Sequence, residues 1–250
     1  MPISFDNSPD TVLQGLFRPE LDFLETVPFW VPAVIGAAVA LAVAAALMLE
    51  RLCSREGAPG HLRRVRAELK GRRGEAAVAG VLARAGYPAL HDVIVRDAWG
   101  LTQVDHVVRL PDGIAVLETK SWAGTVTGRV RDRRWLQELG GGRVRTLLRN
   151  PVMQNDRHVR AVRRVAGSGV PVCGLVVSAG AARFCGDLEG AVVRLDGVAA
   201  RLRAGLAVGC DVRRLDEAWR ALTAAAARSG TLRGAHLRQV QRVRWRTGAG

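Results

Sequence analysis

The sequence predicts a mixed α/β domain, a central sheet flanked by helices, with one long apolar helix before it and basic helices after it. Three observations carry this. A hairpin signal occupies Gln103 to Lys120, QVDHVVRLPDGIAVLETK, where two apolar alternations meet at Asp112-Gly113. Strand-like runs around it alternate with segments of helical period, the pattern of an α/β chain. Val27 to Leu49 carries no charged side chain, and its only hydrogen-bonding side chain is the Trp30 indole.

At 250 residues the chain is long enough for one good core plus an appendage. Its 48% apolar content fits a globular protein and excludes disorder. The net charge of +14 is unevenly placed. Asp6, Asp10, Glu20, Asp22 and Glu25 face Arg18 alone, a net −4 that leaves +18 on the rest. Such a surplus points to a polyanionic partner, nucleic acid or acidic lipid headgroups. Of the 37 basic residues 35 are Arg, so a compositional bias accounts for part of the charge, and Lys70 and Lys120 stand out against it. A Lys within an apolar strand suits a site that needs a compact ammonium. Cys53, Cys173, Cys185 and Cys210 show no CxxC spacing, which predicts buried free thiols in a reducing compartment rather than zinc.

Taken in order, residues 1–28 read as a short acidic tail outside the cytoplasm. Residues 29–49 read as a transmembrane helix of about 30 Å, the hydrocarbon thickness of a bilayer. Phe29 and Trp30 stand at one interface, and Arg51, Arg55, Arg63 and Arg64 follow the other end. No basic stretch precedes the run, against a cleavable signal peptide. The excess of positive charge inside predicts a single pass in the inner (plasma) membrane, N-terminus outside and the rest cytoplasmic. Residues 50–70 read as a basic linker and a helix ending near Gly71. A second helix begins after Gly74, with Glu75, Val78, Leu82 and Ala85 on one face, and stops at Gly86 and Pro88. Glu75 could complement the helix dipole, but its place on the apolar stripe directs it toward the sheet.

Strands follow at about 90–96, 103–110, 114–121 and 125–130, then a hairpin of 135–139 and 143–148 turning at Gly140-Gly141-Gly142. Asn150-Pro151 starts a helix to about Val165, with Asn as cap and Pro first in the helix. Val172 to Ser178 is an unbroken apolar run, the mark of a buried strand, and Ala191 to Leu195 is another strand. Residues 197–250 form a basic helical region, with no acidic residue after Glu217 and seven arginines.

The hairpin register decides the chemistry. With Asp112 and Gly113 as the loop, Val107 faces Glu118, Asp105 faces Lys120, and Gln103 lies beside them on one face. An odd loop would throw Asp105 to the other face. The result is D-x12-E-x-K. Phosphodiester hydrolysis needs a cation to stabilise phosphate charge and generate hydroxide. Mg²⁺ (or Mn²⁺) needs only one or two carboxylates beside its waters. Asp105 and Glu118 can supply these, the Thr119 carbonyl a third oxygen, and Glu75 a further carboxylate, directly or through water. Lys120 can position or deprotonate the attacking water, or neutralise developing charge. A structural Asp105–Lys120 ion pair is the plainer alternative. His106 has the parity to pack behind the sheet. Arg157, His158, Arg160, Arg163 and Arg164 either contact phosphates or form a solvated face. Trp122 and Trp135 either stack on bases or fill the core. The basic C-terminal helices either lie on anionic lipid or follow a nucleic-acid backbone.

The ordered set Gly71-Arg-Arg-Gly74-Glu75, Gln103-Val-Asp105-His106, Gly113 to Glu118-Thr-Lys120, Gly124, Gly128, Trp135 and Asn150-Pro-Val-Met-Gln154 resembles the nuclease-related domain (NERD) family of the PD-(D/E)xK nuclease superfamily. The resemblance covers about residues 71–165. It implies a restriction-endonuclease-like core within residues 71–196 and Mg²⁺-dependent cleavage of DNA or RNA. It also implies Glu75, Asp105, Glu118 and Lys120 as the catalytic set, with Gln103 and Gln154 as accessory residues. The rival reading is a module that holds nucleic acid, or tethers it at the membrane, without cutting it.

Overall fold

The computed structural model describes residues 28, 30–54, 60–206 and 209–246. The chain divides into two compact units, residues 1–64 and 65–250. The first holds helix α1, Val31–Ser54. Its described large side chains, among them Val34, Ile35, Val39, Leu41, Val43, Leu47 and Met48, are exposed. Among the described residues no helix is long and apolar enough to cross a membrane. The side chains described without a break run from Ala33 to Met48, about 24 Å of helix and short of a bilayer core. The span predicted over 29–49 is therefore not established. The acidic tail before Pro28 and the linker at 55–59 lie outside the described residues.

The second unit is mixed α/β. Helix α2, Gly60–Arg84, enters it from Val65 onward. Among the described residues nine strands follow: β1 Ala89–Asp97, β2 Gly100–Leu110, β3 Gly113–Lys120, β4 Thr125–Thr127, β5 Arg134–Leu139, β6 Val144–Arg149, β7 Val172–Ser178, β8 Arg183–Cys185 and β9 Val192–Arg194. Between and after them run α3 Pro151–Ala166, α4 Leu188–Ala191, α5 Val198–Arg203, α6 Val212–Ala227 and α7 Ser229–Arg246. Two mixed sheets result. The larger has order β1-β2-β3-β7-β9, antiparallel through β3 and parallel from β3 to β9; the smaller has order β6-β5-β4-β8.

Helices cover both faces of the larger sheet. Val78 and Leu82 of α2 and Val198 and Leu202 of α5 pack on Val108, Leu110, Ala115, Leu117 and Val177. Val159 and Val162 of α3 and Leu215 and Leu222 of α6 pack on Val93, Val107, Ile114 and Val116. Each face buries of the order of ten aliphatic side chains, the dominant favourable term for such a layer.

Two expectations are corrected. Residues 60–84 form one helix rather than two broken at Gly71 and Gly74. A mid-helix Gly costs only about 1 kcal/mol, and Gly74 has a packing reason: a Cβ there would lie 2.0 Å from Oγ of Ser121. The hairpin turns at Pro111-Asp112, not Asp112-Gly113, so Leu110 pairs with Gly113 and Val107 with Val116. Proline's fixed φ suits the first turn position. Asp112 Oδ2 accepts from the Leu206 N–H at 2.6 Å, while Ile114 N–H donates to the Pro171 carbonyl at 2.9 Å, which starts the parallel pairing with β7.

Candidate functional site

Ladder pairing between β2 and β3 stops at His106 and Leu117. The next couple is Asp105 and Glu118. Here the Thr119 N–H donates to Asp105 Oδ2 at 2.8 Å, a side chain taking the place of the strand backbone. The outer strand is irregular at the same level. His91 pairs with His106 and Val93 with Val104, but the couple between them, Asp92 and Asp105, is unpaired, and Asp92 has φ +57°. Leu90 and Val93 on β1, and Val104 and Val107 on β2, nevertheless meet the same core, although each pair has opposite parity. Both strands thus turn over at the Asp92–Asp105 level. A left-handed, non-glycine residue in a strand stores roughly 1–3 kcal/mol of strain, a recurrent feature of functional sites.

Glu118 is 1% exposed at the end of the fully buried run of β3. Its Oε1 takes the Lys120 ammonium at 2.5 Å, and Lys120 also donates to Gln154 Oε1 at 3.2 Å. His158 Nδ1 lies 3.1 Å from Glu118 Oε2, close enough for a charge contact but without hydrogen-bond alignment. Burial would raise the Glu118 pKa, but His158 and Lys120 outweigh it and hold the carboxyl below its ordinary value. Asp105 goes the other way. Burial first, and then repulsion from Glu118, push it up to about 8. Glu75, half-buried on α2, is raised by burial and then by Asp92 and Glu118. Three carboxyl groups therefore sense one another.

Helix α3 brings the other wall. Asn150 caps it, accepting from the N–H groups of Val152 and Met153 at 2.8 and 3.3 Å, and Pro151 opens it. Asn155 Nδ2 donates to the carbonyls of Val116 and Leu175 at 3.0 and 3.2 Å, pinning the helix across β3 and β7 so that Gln154 and His158 reach the ExK segment. Gln103 Nε2 of β2 donates to Asp92 Oδ1 of β1 at 2.5 Å, and Arg233 of α7 pairs with Asp92 Oδ2.

The structure gathers Glu75, Asp105, Glu118, Lys120 and Gln154, and places Gln103 behind them on Asp92. Register corrects one detail: Asp105 stands across from Glu118, not Lys120. Of the five α3 residues read either as phosphate contacts or as a solvated face, Arg160, Arg163 and Arg164 are exposed, but Arg163, Arg157 and His158 are engaged. His158 is buried on Glu118, Arg157 pairs with Asp97 at 2.6 Å, and Arg163 donates to the Val172 carbonyl at 2.7 Å. Trp135 is fully buried and Trp122 packs on it edge-on, so both fill the core instead of stacking on bases. His106 packs behind the sheet against His91 at 2.8 Å, and burial lowers its pKa to about 4. Cys173, Cys185 and Cys210 are free but only half-buried, and the Cys53 side chain lies outside the described residues. Sequence reasoning missed Asp92, which carries no local signal. It also missed Asn155, whose signal is an amide on the apolar face of an amphipathic helix.

Among the described residues no three His, Cys, Asp or Glu side chains are arranged to hold a metal ion. The donor chemistry nonetheless fits a hard cation. Asp105 and Glu118 are oxygen donors facing each other in a desolvated cleft, and Glu118 Oε2 has no hydrogen-bond donor.

Residues 70–179 match the nuclease-related domain family. An uncharacterized protein of Bacillus anthracis is 34% identical over 106 residues, which cover 41% of this chain and 49% of that protein. The chain thus spans about half the length of this curated relative. The matched segment begins at the end of α2 that carries Glu75 and closes just past β7, so that it takes in Asp105, Glu118, Lys120 and Gln154. By that match, residues 70–179 are similar to the nuclease-related domain.

Proposed function

We propose that the domain is a metal-dependent nuclease with a PD-(D/E)xK-type site, cleaving phosphodiester bonds of DNA or RNA. The observation that carries this reading is the convergence of Asp105, Glu118 and Lys120 at the end of the β2–β3 ladder, where the Thr119 N–H holds Asp105 and Glu118 holds Lys120. A carboxyl pushed to about 8 by burial and by Glu118 marks a cleft with more negative charge than it can keep unaided. Asp105 and Glu118 would hold Mg²⁺ or Mn²⁺, with Glu75 alongside. Bound there, the ion would neutralise phosphate charge and acidify a water.

The protein's own groups have distinct tasks. Lys120, held between Glu118 and Gln154, keeps a compact cation beside the reacting phosphate and orients the attacking water. His158 holds the buried Glu118 in place from α3. The Thr119 N–H keeps Asp105 Oδ2 fixed. Arg160 and Arg164, exposed on α3, serve the phosphate backbone. Anchoring in the inner membrane through residues 29–49, domain in the cytoplasm, belongs to the same proposal. Apolar side chains exposed on all sides of α1 support it, since such a helix needs an apolar surrounding.

A second reading, nucleic-acid binding or membrane tethering without cleavage, is favoured by one observation. Both Glu118 oxygens already have a protein neighbour, Lys120 at Oε1 and the His158 ring at Oε2, as in a finished structural network. Full-length protein in detergent, incubated with Mg²⁺ or Mn²⁺ and single- or double-stranded DNA and RNA, discriminates the two. Cleavage that disappears in Lys120→Ala and Asp105→Ala supports the nuclease. Salt-sensitive binding with equal background turnover in all three proteins refutes it.

A further inference from the structure

Trp99 sits in the two-residue turn between β1 and β2 and is 66% exposed. A tight turn has no packing use for an indole, yet this one is held in a defined position. The Arg157 guanidinium lies over its ring, 4.7 Å from the centroid. Asp97, whose side chain is 1% exposed, accepts from Arg157 at 2.6 Å through Oδ2 and from the Trp99 N–H at 2.7 Å through Oδ1. One buried carboxylate thus clamps both members of the stack. Burial would raise the Asp97 pKa, but the Arg157 and backbone hydrogen bonds hold it low, so the clamp stays charged.

The pair stands beside the site already described. Gln154, which contacts Lys120, precedes Arg157 by three residues, one turn along the same helix face, and His158, which contacts Glu118, follows it directly. Arg160 and Arg164 lie three and seven residues beyond Arg157, so the same face continues as an exposed basic stripe. Arg157 covers one face of the indole. The other is open to solvent, next to positive charge and one helical turn from the ExK segment.

We propose that the open face of Trp99, held by Arg157 and Asp97, stacks on an unpaired base of the nucleic acid whose phosphate enters the site. The domain then takes single strands, or duplexes with unpaired nucleotides. Bases within a duplex are already stacked and cannot use the platform, whereas aromatic stacking is sequence-tolerant because every base offers a π-face. This inference rests on the nucleic-acid reading above and adds a strand preference to it.

The test is fluorescence anisotropy of full-length protein in detergent, with EDTA to prevent turnover, against a 20-nucleotide single strand, its duplex and an abasic single strand of equal length. Wild type is expected to bind the single strand about tenfold tighter than the abasic one. Trp99→Ala should lose that margin while keeping its affinity for duplex and its salt dependence, because the indole carries no charge. Trp99→Phe should retain most of it. Equal losses on single strand and duplex, or an unchanged single-strand affinity in Trp99→Ala, overturn the platform while leaving the nuclease reading intact. Failure of wild type to bind any nucleic acid overturns both. Loss of binding confined to anionic liposomes identifies Trp99 as a lipid contact and also overturns the proposal.

Discussion

Replacing Asp105 by Asn should stabilise the metal-free protein at neutral and alkaline pH. Its carboxyl moves from 3.8 to about 8, through burial first and the Glu118 charge second. Between those values the folded state keeps a proton that the unfolded chain has already released. Stability is therefore complete below about pH 4 and falls as the pH rises toward 8. At 1.36 kcal/mol per pKa unit the shift sets an upper bound of about 6 kcal/mol at pH 8. Relaxation of the cleft and entry of water bring this to roughly 2–4 kcal/mol. Asparagine has the same shape and still accepts from the Thr119 N–H, but it does not titrate. Urea unfolding of the full-length chain in detergent and EDTA, from pH 4.5 to 8.5, should show wild type losing stability and Asp105→Asn holding level. Added Mg²⁺ at pH 8 should restore wild type and leave the variant unchanged. Parallel curves for the two proteins would refute the buried, proton-holding Asp105.

Glu118 predicts the opposite slope. Its depressed pKa contributes stability above about pH 4.5 that is lost as the pH falls through the folded value. His158→Ala removes the first partner holding it down, and should cost roughly 2–4 kcal/mol at pH 7 and less at pH 4, read by the same urea titrations. Gly74→Ala should destabilise by about 1–3 kcal/mol because its Cβ meets Ser121 Oγ at 2.0 Å, whereas Gly71→Ala, with nothing within 4 Å, should be neutral or stabilise by up to about 1 kcal/mol. Equal melting shifts for the two would show that α2 does not press on the Ser121 loop. On α7, Gln239→Ala strands both backbone groups of Leu101, which it now meets at 2.9 and 3.0 Å, and should cost about 1–2 kcal/mol. Arg233→Ala removes only an exposed pair with Asp92 and should cost less than about 1 kcal/mol; the reverse order would contradict this account.

Much of the fold follows from local signals. Apolar runs between turn residues mark β1 to β3, an unbroken apolar run marks β7, and Asn150-Pro151 fixes the start of α3 with both of its expected roles in place. The short strand β8 and the single-turn α4 escape, because three or four residues leave no period to read. The α2 break fails for a tertiary reason: Gly74 answers to the Ser121 loop, a contact more than forty residues away. Of the candidate site, residue types and spacing point to Glu75, Asp105, Glu118 and Lys120, while Gln154 comes only from the family resemblance. Asp92 does not show itself. Its left-handed backbone, its Gln103 partner and its Arg233 partner belong to three separate segments that meet only on folding.

The misplaced turn explains both what survives and what changes. Moving the loop from Asp112-Gly113 to Pro111-Asp112 slides the pairing by two residues, and side-chain direction in a strand repeats every two. A slip of one would have sent Asp105 to the far side of the sheet and dissolved the constellation. A slip of two keeps it on the same side but replaces the residue across from it. Asp105 then meets the carboxylate of Glu118 instead of the ammonium of Lys120, so the rise in its pKa that burial causes first is reinforced by its partner rather than opposed. Lys120, one pair further on, is freed for Glu118 and Gln154. The structural ion pair between Asp105 and Lys120, the plainest alternative to a metal site, loses its geometry by that same two-residue slide.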